Sequence, residues 1–321
     1  MEITSTFINI RTDYGFKRIF GTPKNKKILI RFLNALLGDG VRILDVVYHD
    51  KEVLAADDDG KRIVYDIYCT SQNDEHHFIL EMQNVYEPPF EERLLYYISK
   101  AISGQGSKGW DYTLQPVISV AITNFDFRHI SKKLIHDMRM ADVSTGDILT
   151  DKIRILLCSL KQIEKRTWRE CTTEIERMLY LIKNMEKMDK NSEIYRSKEY
   201  EDLFDAAEAS SLANEDVVAY SNSLQKLRAS EAGIEYARRE SYSEGESHGF
   251  ERGLEQGVKQ GLEQGVKQGI EQGVKQGIME GLEQERRIIA LNMIAMGVSD
   301  EIIKASTKLT DSEINSLKEA N

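Results

Sequence analysis

The sequence predicts a mixed α/β domain over residues 1–130, followed by an all-helical extension, a glycine-repeat segment and a small helical tail. Three observations predict this order. Helix-like and strand-like hydrophobic patterns alternate in the first part of the chain. All four prolines, which break helices, lie within the first 116 residues. Glycine then recurs at every fourth position from 245 to 281. The predicted segments are 1–130, 131–240, 241–284 and 285–321.

The mixed domain is predicted to follow the order αβββαβ. Its elements are a helix over 25–37, strands over 41–50, 62–70 and 76–83, a helix over 90–103 and a strand over 116–123. The first helix ends at Gly38, a residue type that commonly follows a helix C-terminus. The second and third strands are separated by a short polar turn, which predicts a hairpin. The last strand is almost entirely apolar, a pattern typical of a strand covered on both faces.

Residues 131–240 show apolar positions three or four residues apart, a pattern typical of packed helices. The predicted helices lie over 133–142, 159–168, 172–188 and 214–237. This pattern indicates packing and predicts no particular chemistry. The tail 285–321 is predicted to form three short helices, with Thr310 and Glu313 as a capping box.

The glycine repeat has the central unit GLEQGVKQ, with glycine at ten successive fourth positions. Ten interior glycines would destabilise an isolated helix by about 8–10 kcal/mol relative to alanine. Each Glu–Lys pair spaced i,i+4 offsets only about 0.2–0.5 kcal/mol. A helix is therefore expected only if its glycine and aliphatic rows pack on another copy, in a homo-oligomer. The alternative is a flexible tether, and the sequence leaves both open.

Composition and charge exclude several classes of protein. No apolar run reaches the roughly 18–20 residues of a membrane span, so no membrane partner is expected. Three widely spaced cysteines argue against a disulfide framework or a zinc ribbon. The N-terminal residues lack an export signal, so we expect a cytoplasmic location. The net charge of −10 gives no overall electrostatic signature of tight nucleic-acid binding.

One pair of carboxylates in the predicted hairpin has the residue types of a metal site. If Asp66 on the second strand lies opposite Glu81 on the third, two hard oxygen ligands for Mg²⁺ come together. Gln83 shares a face with Glu81, because side chains alternate along a strand. A divalent ion there would activate a water and stabilise charge on a phosphodiester. On this pattern alone, two solvated strand residues are the commoner interpretation.

Longer segments around these residues resemble a known family. TDYGFKRIFGTPKNKKILIRFLNALL, DIYCT with ILEMQ, and RLLYYISKAISGQGSKGWDYTLQPVISVAITNF are similar to the Rpn family of recombination-promoting nucleases and transposases, within the PD-(D/E)XK nuclease superfamily. The resemblance implies a nuclease core of order αβββαβ. It also implies a DNA endonuclease that uses Mg²⁺, or alternatively Mn²⁺, in recombination or mobile elements.

The resemblance also assigns site residues. Asp66 corresponds to the aspartate of the superfamily motif and Glu81 to its (D/E) position, with the Met82 carbonyl as a further metal ligand. Gln83 stands where most of the superfamily has lysine, and Tyr65 stands in place of the proline. Glutamine can hydrogen-bond a water but supplies no positive charge. The alternative function is therefore a catalytically degenerate nuclease fold that acts as an oligomeric module for binding nucleic acid or protein.

Four more residues are candidates for the same site. Asp13 and Lys17, spaced i,i+4, would add a metal or water contact and a substitute for the missing positive charge; the alternative is a helix cap and a surface lysine. Arg93 and Tyr97, together with Tyr96, are expected to face the phosphate backbone of DNA. Buried tyrosines beside a salt-bridged arginine would give the same pattern.

Overall fold

The fold is taken from a computed structural model that describes residues 4–38, 41–49, 52–53, 63–72, 75–106, 111, 113–127, 129–164 and 166–319. The chain divides into two compact units, the first ending at Glu235 and the second beginning at Tyr236. Among the described residues, no helix is both long and apolar enough to cross a lipid bilayer.

The first unit combines one large sheet with helices on both of its faces. Its strands are β1 (Val46–Tyr48), β2 (Glu52–Val53), β3 (Ile63–Val64), β4 (Ile67–Ser71), β5 (His77–Gln83), β6 (Val117–Thr123), β7 (Ile135–Ala141) and β8 (Ile148–Ser159). Its helices are α1 (Asp13–Phe20), α2 (Lys26–Leu37), α3 (Phe90–Ser103), α4 (Leu160–Ile163), α5 (Glu174–Asn184), α6 (Glu193–Arg196) and α7 (Glu201–Ala207).

Six strands form the sheet in the order β1-β4-β5-β6-β8-β7, and β2 pairs separately with β3. β4 and β5 are antiparallel, whereas β5, β6 and β8 run parallel to one another. Residues of α1, α2 and α5 form the larger core on one face, and Ile98 and Ala101 of α3 pack on the other. β6 is buried along its whole length, which confirms the predicted covering of both faces.

The predicted order αβββαβ is confirmed, with differences in the first two strands. The helices predicted over 25–37 and 90–103 and the strands over 76–83 and 116–123 match α2, α3, β5 and β6 within one residue at each end. The first strand is only the three residues of β1. The second is interrupted, because Tyr65 and Asp66 lie between β3 and β4. Predicted strand residues 50 and 62 lie outside the described residues.

The prediction of an all-helical segment over 131–240 is wrong. Residues 133–142, predicted as a helix, contain β7, and β8 precedes the short α4. Apolar residues such as Ile135 and Met138 mimic helical spacing, but ion pairs across the two strands favour the extended form. Arg154 Nε lies 2.8 Å from Asp137 Oδ1, and Arg139 also binds Asp137. Because β6 pairs with β8, the sheet also continues across the predicted boundary at residue 130.

The other helices predicted in this region are present to different extents. The pattern over 172–188 contains α5, while the described residues of 159–168 contain the short α4 and, at Trp168, the first residue of a 3₁₀ turn. The last pattern begins a long helix, α8 (Asn214–Ala295), which continues into the second unit. The second unit also contains α9 (Asp300–Thr307) and α10 (Asp311–Glu319).

The glycine repeat lies within α8. A Cβ atom added to any glycine from 245 to 281 would meet no described atom within 4 Å beyond the helix itself. The aliphatic side chains of the repeat are 48–67% exposed, from Leu282 at the lower end to Leu262 at the upper. Within the described chain, the glycine and aliphatic rows therefore have no covering partner.

The C-terminal helices enclose a small core of their own. Its buried side chains are Ala290, Ile303, Leu309 and Ile314. The predicted capping box at the start of α10 is confirmed, since Thr310 N donates to Glu313 Oε2 at 2.7 Å and Glu313 N donates to Thr310 Oγ1 at 3.4 Å.

The three cysteines are free and buried in the first unit. Burial raises the pKa of the Cys69 and Cys158 thiols to about 12, and it also raises the pKa of Cys171. A thiol reacts as its thiolate, so these side chains are chemically inert near neutral pH.

Candidate active site

The hairpin of β4 and β5 brings Asp66 and Glu81 side by side. The strands pair with Ile67 opposite Leu80, and Asp66 immediately precedes Ile67, so it lies beside Glu81. Asp66 N donates to Glu81 Oε1 at 3.2 Å, and Met82 N donates to Asp66 Oδ2 at 3.0 Å. Each carboxylate is thus held by a backbone N–H next to the other carboxylate. The predicted pairing of the two acids is present in the structure.

Both carboxyl groups lie in an unfavourable environment for negative charge. Glu81 is only 6% exposed. Burial, and then repulsion from Asp66, raises the pKa of Glu81 to about 8. Burial also raises the pKa of Asp66, although the Met82 N–H and Lys17 oppose this shift. Two acids that resist ionisation together are characteristic of a site built for a positively charged ligand.

Lys17 is the nearest cation to this acidic pair. Thr12 caps α1 by accepting from Gly15 N, so the cap is not Asp13. Lys17, one turn into the helix, binds the Asp13 carboxylate, and its Nζ lies 3.6 Å from Asp66 Oδ1. Burial lowers the pKa of Lys17, but its contacts with the two aspartates outweigh this and raise it. Lys17 is therefore charged and half-buried, unlike a free surface lysine.

Gln83 does not present a free amide to the cleft. Its Nε2 donates to Val85 O at 2.9 Å, and its Oε1 accepts from Arg93 Nη2 at 2.7 Å. Both polar ends are therefore occupied by protein groups. The arrangement holds the Arg93 guanidinium of α3 at the C-terminal end of β5.

The two candidate tyrosines differ in position. Tyr97 lines the cleft and packs edge-on against the ring of Tyr65, with ring centroids 5.1 Å apart. Burial and the neighbouring Glu81 raise the pKa of the Tyr97 phenol. Tyr96 is 45% exposed and does not line the cleft. The structure therefore places Arg93 and Tyr97 at the site, and not Tyr96.

The acidic pair, Gln83, Arg93 and Tyr97 border one open cleft of about 370 Å³, whose lining does not include the predicted site residue Lys17. Seven of the residues that line the cleft were predicted from the sequence: Asp13, Asp66, Glu81, Met82, Gln83, Arg93 and Tyr97. Other lining residues were not predicted, chiefly Arg11, Asn84, Ser223, Lys226 and Ser230. The last three project from α8, more than 140 residues beyond Glu81 in the chain. Their spacing of three and four residues predicts a common helix face, but nothing in the sequence predicts that this face meets β5.

The donor set fits a divalent cation that keeps part of its water shell. Mg²⁺ in such sites is typically held by one or two carboxylates while several waters remain bound. Asp66 and Glu81 supply two carboxylates. A bound cation would relieve the repulsion between them. In the described part of the chain, no three His, Cys, Asp or Glu side chains are grouped as a metal cluster. Asp13 therefore does not complete a three-carboxylate site.

Comparison with known proteins agrees with this geometry. Residues 10–237 match the family described as "PD-(D/E)XK nuclease family transposase". The matched segment contains the acidic pair and the part of α8 that borders the cleft, and it ends before the glycine repeat. No curated protein and no solved structure gives a significant match. The chain therefore belongs to the PD-(D/E)XK nuclease family transposases.

Proposed function

We propose that this protein is a divalent-metal-dependent DNA endonuclease that acts in recombination or in mobile elements. Its family indicates a nuclease associated with mobile elements. The observation that carries the finer proposal is the acidic pair of Asp66 and Glu81, which is buried, mutually repulsive and open to one cleft. Its residues are those that a Mg²⁺ or Mn²⁺ ion needs.

The carboxylates of Asp66 and Glu81, with the Met82 carbonyl, would hold the ion. Bound there, a divalent cation would supply a water of lowered pKa and would stabilise negative charge on the phosphodiester. Lys17 neutralises part of the charge on Asp66, and Asp13 fixes Lys17 in place. Lys17 thereby supplies near the acids the positive charge that Gln83 lacks.

Gln83 acts in this proposal through Arg93. Because both ends of its amide are occupied, we assign it the role of orienting the Arg93 guanidinium, and not that of binding the attacking water. A guanidinium can bind two oxygens of one phosphate, so Arg93 is suited to hold the DNA backbone beside the acids.

The test is cleavage of supercoiled plasmid by the purified full chain with Mg²⁺, with Mn²⁺ and with EDTA. We expect nicked and linear products with either ion and intact plasmid with EDTA. Cleavage that persists in EDTA would contradict a metal-dependent mechanism.

One observation favours the second candidate, a binding module without nuclease activity. The residue at the lysine position is uncharged, and each end of its amide binds a protein group. On this reading, the chain binds labelled DNA but leaves plasmid intact with every divalent ion. Binding of labelled DNA and cleavage of plasmid, measured on the same protein, therefore separate the two candidates.

Substitution of Gln83 and Arg93 tests the assigned roles. We expect Arg93→Gln and Gln83→Ala each to lower the cleavage rate by about 10–100-fold, the usual effect of losing a supporting contact at a metal site. If Gln83 acts through Arg93, the double variant should cleave about as fast as Arg93→Gln alone. Initial rates of plasmid nicking give the comparison. Losses that multiply in the double variant would instead assign Gln83 a direct role.

We also propose that the glycine repeat joins copies of the chain. Its aliphatic side chains recur at every fourth position and are 48–67% exposed, and repeated exposed apolar side chains of this kind mark interaction surfaces. Its charges are self-complementary in an antiparallel pair centred on Gly265, with Glu255 opposite Lys275 and Glu263 opposite Lys267. Glycines also oppose glycines in this register, which permits close approach of the two helices.

Charge reversal tests this pairing. One variant carries lysine in place of Glu255, Glu263 and Glu271, and the other carries glutamate in place of Lys259, Lys267 and Lys275. We expect wild type to have about twice the 36.8 kDa chain mass by light scattering, and each variant alone to fall towards one chain mass. An equimolar mixture should regain the wild-type value. A wild-type mass of one chain would contradict the proposal.

A further inference from the structure

We propose that Ser223, Lys226 and Ser230 of α8 form a binding site for a backbone phosphate of DNA, next to the phosphate that faces the acidic pair. The inference rests on the proposed nuclease function, because it assigns the anchoring of that enzyme's substrate. It concerns a wall of the cleft to which neither the motif nor the family match assigns a role.

One face of α8 forms a wall of the cleft. Positions 223, 226 and 230 lie on one face of a helix, and all three side chains border the cleft that contains Asp66 and Glu81. The face is fixed in place by its neighbours. Leu227 is 6% exposed, and Tyr14 N at the start of α1 donates to Ser223 Oγ at 3.1 Å. A hydrogen bond therefore joins this face of α8 to α1, whose Lys17 lies 3.6 Å from Asp66.

Lys226 has no carboxylate partner among the described residues. The other cations in the cleft, and Lys17 beside it, are engaged by the protein. Lys17 contacts Asp13 and Asp66, Arg11 Nη1 lies 2.8 Å from Glu231, and Arg93 binds Gln83. In contrast, no carboxylate within the described residues lies within 4.0 Å of the Lys226 ammonium. Lys226 thus offers an uncompensated positive charge opposite two carboxylates.

Several buried polar atoms of residues that line the cleft lack hydrogen-bond partners within the described chain. Arg11 Nε, Arg93 Nε and Asn84 Oδ1 belong to residues lining this cleft, and none has a hydrogen-bond partner within the described chain. Arg11 is only 9% exposed, so water does not freely satisfy its Nε. Buried polar atoms are normally paired, and orphans point to a missing ligand or water. Two of these three are guanidinium donors, so the missing group is chiefly an acceptor.

Together these features give the cleft two electrostatic poles. One pole, at Asp66 and Glu81, selects a cation, and the other, at Lys226 with the hydroxyl groups of Ser223 and Ser230, selects an anion. A polynucleotide presents successive phosphates along its backbone, so one phosphate can lie at the metal pole while its neighbour binds α8. Contacts to phosphate fix the position of a nucleic acid without reading its sequence.

The test measures DNA binding without cleavage, by fluorescence anisotropy of a labelled oligonucleotide duplex in EDTA at about 50–200 mM salt. We expect Lys226→Ala to weaken binding about threefold to tenfold at ~100 mM salt. It should also reduce the slope of log K against log salt by about 0.9, because one phosphate contact is lost. Lys226→Arg should retain the wild-type slope, and Ser230→Ala should weaken binding without changing the slope.

Lys133→Ala is the matched control, because Lys133 is exposed and does not line the cleft. It should bind like wild type, and circular dichroism should show that all variants are folded. If Lys226→Ala and wild type have the same affinity and slope, the α8 site is wrong, whatever the nuclease assay shows. If Lys226-dependent binding is present but no divalent ion supports cleavage, the α8 site stands and the proposed nuclease function is wrong.

Discussion

Asp66→Asn and Glu81→Gln are each expected to reduce Mg²⁺-dependent plasmid cleavage by at least about 100-fold. Each substitution keeps the shape of the side chain but removes one of the two charges that would hold the ion. A hundredfold loss corresponds to about 2.7 kcal/mol of transition-state stabilisation, a modest requirement for losing a metal ligand. Initial nicking rates at saturating Mg²⁺ give the measurement.

The matched control for these variants is Asp151→Asn. Asp151 lies on β8, its side chain is 80% exposed, and it pairs with Arg139 at the far end of the sheet. It should cleave at the wild-type rate. If Asp66→Asn and Glu81→Gln also cleaved at that rate, the acidic pair would not be the catalytic centre.

Glu81→Gln is also expected to stabilise the folded chain in the absence of metal. The pKa of Glu81 is raised to about 8, above the ordinary glutamate value, so the folded state disfavours its ionisation. For an acid with a raised folded-state pKa, stability is greatest below the unfolded pKa and falls as the pH rises towards the folded pKa. Glu81→Gln does not lose stability in this way. The difference in unfolding free energy between the variant and wild type should therefore grow from about pH 5 to about pH 8.

At pH 8 in EDTA, we expect the variant to gain about 2–4 kcal/mol of unfolding free energy, seen as a rise of several degrees in Tm. Mg²⁺ should reverse the comparison, since an ion that binds only the folded state raises the Tm of wild type and not that of the variant. Thermal melts at both pH values, with and without Mg²⁺, give four Tm differences. If the variant melted below wild type at pH 8 in EDTA, burial of Glu81 and its repulsion from Asp66 would not be what destabilises the folded chain.

The sequence predicted the core because its elements depend on local patterns, and the family resemblance singled out the acidic pair within it. Elements bounded by strong signals, such as α2 before Gly38 and α3 after the Pro88–Pro89 pair, matched closely. The alternation of side chains in β5 placed Glu81 and Gln83 on one face. The predicted hairpin made a pairing of Asp66 with Glu81 possible, and the register of β4 and β5 realises it.

The remaining features depend on contacts between distant parts of the chain. β7 has apolar residues at a spacing that also suits a helix, and only pairing with β8 decides between the two. The approach of α8 to the cleft is fixed by tertiary contacts such as that of Asn9 N with the Tyr220 hydroxyl, 2.8 Å apart. The engagement of Gln83 by Arg93 likewise requires α3 to lie beside the end of β5. No short window of sequence contains this information.

The burial of all three thiols makes the chain convenient for site-specific fluorescent labelling. Maleimide dyes attack thiolates, and Cys69 and Cys158 remain protonated far above the usual pH of conjugation. One exposed cysteine introduced by Ser243→Cys would therefore take up dye selectively, with the native cysteines left in place. Single molecules carrying such a dye could then be followed as they encounter DNA.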